Sequence, residues 1–450
     1  MSDLLEGRGK FKFGEEIEVE GDFNVNLNID GVWNKNKNSI SGSFDETSME
    51  MTLRHDLPFF PWDFEGVTTE GKKVIGNGLA LSKQGESFTQ SGININWGFN
   101  INEIVIGDYQ ECEAFEYWIP NFIIGFDEMT KVGERFVRNK TQLSLSYNQE
   151  TISVELLGVN NFPTEAQEIR KINEDIFTVK IVLRKGNGIL SFDEANAVID
   201  SLLDLCSVAY GGRVSWGTVI GSVDDNEVFR VIRNVPFAPL NPSRQLIMVN
   251  QPRFLTQFIQ TCFPSYIQLT QEYRDTFKKF LAGIQLSSST LIFPVPYIVL
   301  GSVIEDYVSA ELEETSSHYV GRADRRRIFP AFKEFLEEHV FPLIEQGDIG
   351  DFDESGMKQM WKGLLTRNLR SRITNLLDAF EIPYDPESVR SFVKKRNDAA
   401  HGNYVFTSAD YHIWSQMVAL LEQLIFKKLQ YQGPYYDWSV SPPEWRIPTN

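Results

Sequence analysis

The apolar residues of this 450-residue chain repeat with one period in its first half and another in its second. That change restricts the fold more than any other feature of the sequence. Phe23, Val25, Leu27 and Ile29 alternate with Asn24, Asn26 and Asn28. A period of two puts the two sets on opposite faces of an extended strand. Ile93, Ile95, Trp97, Phe99 and Ile101 repeat the pattern, and shorter runs follow at Leu143–Tyr147, Ile152–Leu157 and Phe177–Leu183. Asp30-Gly31 and Gly42 supply turn residues between such runs. The expectation is a β-rich, mainly antiparallel N-terminal domain over residues 1–235, either a sandwich or an open barrel. One helix interrupts it, because Phe192–Tyr210 places Ala195, Val198, Ile199, Leu202, Leu203 and Cys206 on one stripe before Gly211-Gly212. A strand at Val228–Ile232 closes the domain, and Pro236, Pro239 and Pro242 mark its boundary.

Residues 236–450 read as helical, so the fold class is α+β. The predicted helices are Gln271–Leu286, Tyr297–Glu314, Arg322–Gln346, Ser355–Phe380, Pro386–His401 and Ser408–Gln430. Pro386 suits a first helical turn, Gly402 a stop directly after His401, and Ser408 and Asp410 offer capping oxygens to the last helix. That helix carries Trp414, Met417, Val418, Leu421, Leu424, Ile425 and Phe426 at helical spacing. The tail, 433–450, is rich in Pro, Tyr and Trp and is expected to run extended.

Charge then limits the partners. The net charge is −19, and residues 1–315 carry most of it, with 26 basic against 44 acidic residues. From Ser316 onward 17 basic residues nearly balance 18 acidic ones. Such a chain does not coat nucleic acid through bulk positive charge, but a local basic site remains open to it. The three cysteines, Cys112, Cys206 and Cys262, form neither a CxxC pair nor a zinc spacing, and a reducing cytoplasm fits them best. The N-terminus has no apolar signal-peptide core, and Phe293–Ile304 is too short to span a membrane. The sequon Asn139-Lys140-Thr141 has no meaning without a secretory route. No cofactor and no metal are expected.

Two segments imitate or carry chemistry. Gly66-x4-Gly71-Lys72 resembles a phosphate-binding loop, but Lys73 stands where a magnesium-binding hydroxyl is needed, and Gly76 and Gly78 interrupt any following helix. A surface turn is expected there. The second segment is Arg390–Tyr404, RSFVKKRNDAAHGNY, which holds Arg396, Asn397 and His401 at the end of a helix with Gly402 directly after.

Arg-Asn-x3-His near a helix end, inside a helical C-terminal domain, resembles the catalytic motif of HEPN ribonucleases. The β-rich domain followed by a helical one resembles, in outline, the ApeA-type abortive-infection proteins of bacterial antiphage defence. The motif spans six residues, and the architectural resemblance spans the chain. The resemblance implies metal-independent RNA cleavage, with Arg396, Asn397 and His401 as the functional residues, in a composite site formed when two HEPN domains pair. The motif-bearing part would be about 316–432. A related toxin branch has Tyr two residues after the His; here it is Tyr404, three residues after, so that branch's modification is not carried over.

The chemistry of the residues agrees with this reading. Cutting RNA without a metal requires the 2′-OH to attack phosphorus, with a base, an acid for the 5′-oxygen and positive charge on the phosphorane. Histidine titrates in the range needed for the first two, and arginine is a fixed bidentate cation for the third. One chain supplies one motif histidine, whereas the reaction needs two proton-transfer groups, so a homodimer through the helical domain is expected. Between Lys358 and Arg396 nine basic residues stand against four acidic ones. Lys394, Lys395, Arg390, Arg372, Arg370 and Arg367 are the candidate RNA contacts, with tRNA the expected substrate and a phage-derived trigger expected on the acidic N-terminal domain. Arg325-Arg326-Arg327, opposite Glu334, Glu337 and Glu338, is expected to be structural. His339 is expected to pack among Phe335, Leu336 and Phe341. His55, His318 and His412 have no metal-spaced partner, although His412 lies on the helix after the motif and could approach His401. Phe59, Phe60, Trp62 and Phe64 are expected in turn and core packing. The rival readings are a non-catalytic HEPN-like module that binds nucleotide or RNA, and a protein-interaction module in which Arg396 pairs with Asp398 or Glu387.

Overall fold

A computed structural model describes residues 2–13, 17–28, 32–33, 39–45, 62–89, 92–100, 102–132, 135–159, 175–186, 188–234, 242, 244–290, 292–312, 318–343, 354–440 and 442–446. It divides into two compact units. The first takes Met1–Ile267 with Gly433–Tyr436, and the second takes Gln268–Gln432 with Asp437–Arg446.

In the first unit the strands begin with Ser2–Phe13 (β1), Ile17–Asn28 (β2), Val32–Trp33 (β3), Ser39–Asp45 (β4), Trp62–Thr68 (β5), Lys73–Thr89 (β6) and Gly92–Asn100 (β7). The first half of β6 pairs with β5 and its second half with β7. The hydrogen-bonded path β6–β5–β1–β2–β4–β7 therefore returns to β6 and closes a six-stranded ring. Closure removes the sheet edges that an open barrel or a sandwich would leave. Phe23, Val25 and Phe99 of the alternating runs are buried in the ring, together with residues of β1 and β5 that those runs do not include. Phe11, Phe23, Phe64, Phe99 and Trp62 are buried, while Asn24 and Glu65 between them face out. Phe11 lies 4.5 Å from Phe64 and 5.3 Å from Phe99 between ring centroids, and Phe23 lies 4.8 Å from Phe64. Each such pair contributes about 1 kcal/mol beyond its buried area. Gly9 makes room for them, since a β-carbon there would come within 2.6 Å of the Phe64 ring. The aromatic cluster is thus core at Trp62 and Phe64; Phe59, Phe60 and His55 lie outside the described residues. In the Gly66–Lys72 segment Gly66 still belongs to β5; residues 69–72 make the turn to β6, with Gly71 at φ 85°, and a strand follows it.

The sheet continues through Glu103–Gly107 (β8), Ala114–Pro120 (β9), Glu128–Val132 (β10), Arg135–Tyr147 (β11), Glu150–Gly158 (β12), Asp175–Lys185 (β13), Thr218–Val223 (β14) and Asn226–Arg233 (β15). From β6 its order is β8–β15–β14–β9–β13–β12–β11–β10, antiparallel throughout the described residues, with β3 on β13. Helix Phe192–Tyr210 (α1) is seated by Tyr117, whose hydroxyl donates to Asn196 at 3.1 Å, and by its own Tyr210, which donates to the Asn121 carbonyl at 3.0 Å. Ser191 and Glu194 form a reciprocal cap at its start, and Gly211 at φ 74° ends it.

The unit does not stop at residue 235. Helix Pro252–Ile267 (α2), which the sequence reading did not include, packs on α1 and β11 through Leu255, Phe258, Ile259, Cys262, Phe263 and Tyr266. The Tyr266 hydroxyl donates to Asp204 of α1 at 2.6 Å. The three cysteines are buried and unbridged, and burial pushes the Cys112 thiol up to about 11.

The second unit is built of Gln271–Thr290 (α3), Val295–Glu311 (α4), Arg322–Phe335 (α5), Glu354–Leu365 (α6), Leu369–Ala379 (α7), Pro386–Ala400 (α8) and Asp410–Lys428 (α9). α9 is its core, with Trp414, Met417, Val418, Leu421, Leu424 and Ile425 buried. Each such side chain contributes about 1.5–3 kcal/mol. α3 and α4 approach closely because Gly283 has no side chain to strike Val303. Two expected helices are interrupted. Arg322–Gln346 gives way at Leu336–Val340 to a π-helical turn and then to a 3₁₀ turn. Ser355–Phe380 is two helices, because Asn368 accepts the Ser371 N–H at 2.9 Å and caps a new start. Ala409, not Ser408, precedes α9, and no side chain caps it. Among its described residues the tail holds two short strands, Tyr435–Asp437 and Glu444–Arg446, which are extended as expected. No helix of the described residues is long and apolar enough to cross a membrane.

Candidate functional site

The site is the last turn of α8, and both ends of that helix are fixed by local chemistry. Asp385 accepts the N–H groups of Glu387 and Ser388, and Pro386 takes the first position. At the other end His401 is the cap residue. Gly402 follows at φ 74°, the Asn403 N–H reaches the Asp398 carbonyl at 2.8 Å, and the Gly402 N–H points at the Ala399 carbonyl at 3.4 Å. This crossed pair of bonds is a Schellman termination, which needs the left-handed backbone that glycine adopts without strain.

Successive residues of this turn go three ways. Val389, Phe392 and Arg396 share the inward face; the first two are fully buried, and the Phe392 ring lies 5.7 Å from Tyr297 of α4. Arg396 lies along α4 over Gly301, where a β-carbon would come within 2.7 Å of its Cγ. Its guanidinium then donates to Glu305, one turn further along α4, at 2.9 Å, and to the Asn397 side chain at 3.3 Å. Asn397 and His401, four residues apart, occupy the same exposed face, and the His401 N–H donates to the Asn397 carbonyl at 3.0 Å. The three motif residues are therefore contiguous. Arg396 touches Asn397, and Asn397 shares a face with His401.

Lys395 turns to the other side. Its ammonium meets Asp410 at 3.1 Å, the Val405 carbonyl at 2.9 Å and the Thr407 hydroxyl at 3.2 Å. Asp410 is fully buried at the start of α9. It accepts the Thr407 N–H and hydroxyl at 2.5 Å and the Tyr404 hydroxyl at 2.9 Å, while its backbone carbonyl accepts from Tyr297 at 2.9 Å. Burial opposes its ionisation, but the hydrogen bonds from Thr407, Tyr404 and Lys395 outweigh burial and hold the carboxyl below its ordinary range. The Tyr404 hydroxyl is pushed upward, by burial first and then by its bond to Asp410. Asp410 thus pins the loop that follows His401.

The expected RNA contacts are mostly engaged inside the chain. Besides Lys395, Arg372 donates to the Glu305 carbonyl at 3.0 Å and to Ser309, both on α4. Arg367 lies 4.8 Å from the centre of the Tyr319 ring, and Arg390 pairs with Glu387 at 3.4 Å. Arg370 and Lys394 are exposed. These partners leave far less free positive charge on 367–396 than the residue count suggests. Glu305 and the central place of Asp410 were not in the sequence reading. His412 is exposed on α9; His339 lies edge-on to the expected neighbour Phe335, 5.2 Å between ring centroids, but both are exposed and His339 also sits beside Glu338. Among the described residues no group of His, Cys, Asp or Glu side chains is placed to hold a metal ion. No family model, curated protein or solved structure matches the chain.

Proposed function

We propose that the chain is a metal-independent endoribonuclease of the HEPN type. It would cut structured or loop-containing RNA, tRNA foremost, by 2′-OH attack, and act in abortive-infection antiphage defence. The observation that carries this reading is the end of α8. A fixed cation, an amide and an exposed imidazole sit together at a rigid helix stop, and these are the groups that in-line attack needs. A homodimer supplies the second imidazole. Support for it comes from apolar exposure beside the motif, since Val405 and Phe406 are 71% and 65% exposed and Phe406 lies 6.1 Å from the Phe293 ring. The acidic N-terminal unit is the proposed receiver of a phage-derived trigger, with activity held low in its absence. A chain lacking that unit should then be more toxic to its host, and equal toxicity would remove the regulatory role.

The direct test is incubation of purified protein with cellular RNA in EDTA, wild type beside His401→Ala. Cleavage by wild type alone, leaving 2′,3′-cyclic phosphate and 5′-OH ends, is the expected result. Cleavage by both proteins would exclude His401 from the chemistry. The Arg396–Glu305 ion pair favours one rival, a non-catalytic interaction module in which Arg396 clamps α8 to α4. That rival expects intact RNA under every trigger condition and a loss of stability in Arg396→Ala.

A further inference from the structure

The segment holding Arg325-Arg326-Arg327 does more than the balanced helix face expected from its sequence. α5 presents Arg322, Arg325, Arg326 and Phe329 at the i, i+3, i+4, i+7 spacing of a single face. α6 presents Lys358, Trp361 and Lys362 at i, i+3, i+4. These two faces line one cleft of about 670 Å³, with His318 at its margin. Of the arginine triplet, Arg327 points elsewhere and pairs with Asp324 at 3.1 Å. Arg322, Arg326 and Lys362 make no ion pair among the described residues, and all three are exposed.

Several cations around one concave space repel each other, and an anion in that space relieves the repulsion. The cleft also has a flat apolar element held in place. Trp361 donates its indole N–H to the Arg325 carbonyl at 3.1 Å, and its ring lies 4.6 Å from Phe332. Phosphate alone would need the cations but not the rings. An apolar ligand would need the rings but not the cations. A nucleotide uses both, with its base against Trp361 or Phe329 and its phosphates on Arg322, Arg326 and Lys362. The volume suits one nucleotide and its phosphates.

We infer that the α5–α6 cleft is a nucleotide-binding site, separate from the α8 motif. The ligand is either a free nucleoside polyphosphate or one unit of a single-stranded RNA. The inference concerns binding and does not rest on cleavage at His401.

The test uses the full chain and two fluorescent probes, a labelled adenosine triphosphate and a labelled single-stranded ten-residue oligonucleotide carrying 2′-O-methyl groups. The methyl groups block 2′-OH attack, so binding is read without cleavage. Saturable binding of the first probe alone identifies a free nucleotide, and saturable binding of the oligonucleotide identifies an RNA strand. In either case Arg322→Ala/Arg326→Ala on α5, and separately Lys362→Glu on α6, should weaken binding by about tenfold or more. Arg327→Ala, in the same triplet but paired outside the cleft, should leave it unchanged. No saturable binding of either probe up to about 1 mM overturns the inference. So does binding that both cleft variants leave intact. Intact RNA in EDTA under every trigger condition, with binding preserved, would remove the ribonuclease reading and keep this one.

Discussion

Asp410 and Glu305 decide how the end of α8 behaves, and each makes a prediction at the scale of one side chain. Asp410 is buried and ionised only because Lys395, Thr407 and Tyr404 surround it. Asp410→Ala leaves the Lys395 ammonium without its carboxylate and should cost about 3 kcal/mol in denaturant unfolding. The pH dependence follows from the same contacts. The folded carboxyl titrates below its unfolded value, so as pH falls the unfolded chain takes up the proton first. Its stabilisation is complete above about pH 5 and is lost as pH drops through about 3.9 and below. Asp410→Asn should flatten that part of the stability curve, and an unchanged acid limb would show that Asp410 is not its source. Glu305 differs because it and Arg396 are partly exposed, and such a pair contributes about 0.5–1 kcal/mol. Glu305→Gln removes the charge that pairs with Arg396 and that, under the ribonuclease reading, would compete with phosphate for it. Under the ribonuclease reading cleavage per chain should rise. A fall in both stability and cleavage would favour the clamp.

At the scale of elements, what was legible in the sequence was what neighbouring residues determine. Pro386, Gly402 and Asn397-x3-His401 describe the ends of α8 within the helix itself, and the alternation from Phe23 to Asn28 describes a strand without reference to its partner. The break between α6 and α7 was written in Asn368 but hidden by continuous apolar spacing on both sides. α2 is hard to read although its apolar residues keep helical spacing; Pro264, inside it, reads as a breaker until tertiary packing on α1 and β11 outweighs that cost. The ion partners were not legible at all. Arg396 and Glu305 are 91 positions apart, and nothing local pairs Lys395 with a residue beyond the turn. The basic stretch 358–396 was visible as composition, but its division into engaged arginines on α7 and α8 and cleft lysines on α6 depends on helix rotation. Gly402 tests the element directly. A β-carbon there meets open space, so alanine brings only backbone strain, about 1 kcal/mol. Gly402→Ala should lower thermal stability by that amount. If the stop also aims His401, RNA cleavage should fall by more than the unfolded fraction explains, and Gly402→Asn, which tolerates the left-handed backbone, should recover much of it.

At the scale of the whole molecule the ribonuclease reading asks how many chains would make one active site. Each chain carries one motif histidine at the end of α8, and the reaction uses a base and an acid. If one site needs His401 from two chains, mixing wild type with His401→Ala poisons activity out of proportion. Subunits that exchange freely and pair at random form wild-type dimers as the square of the wild-type fraction. An equal mixture should then retain about a quarter of the activity of the same total amount of wild type, against about half if each chain acts alone. Phe406→Glu provides the companion measurement. Phe406 is exposed beside the motif, so the charge should not unfold the monomer, but it should shift sedimentation toward monomer and lower cleavage at the same protein concentration. Cleavage that survives in a sedimenting monomer would place both proton transfers within one chain, and His412 on α9 is then the next histidine to substitute.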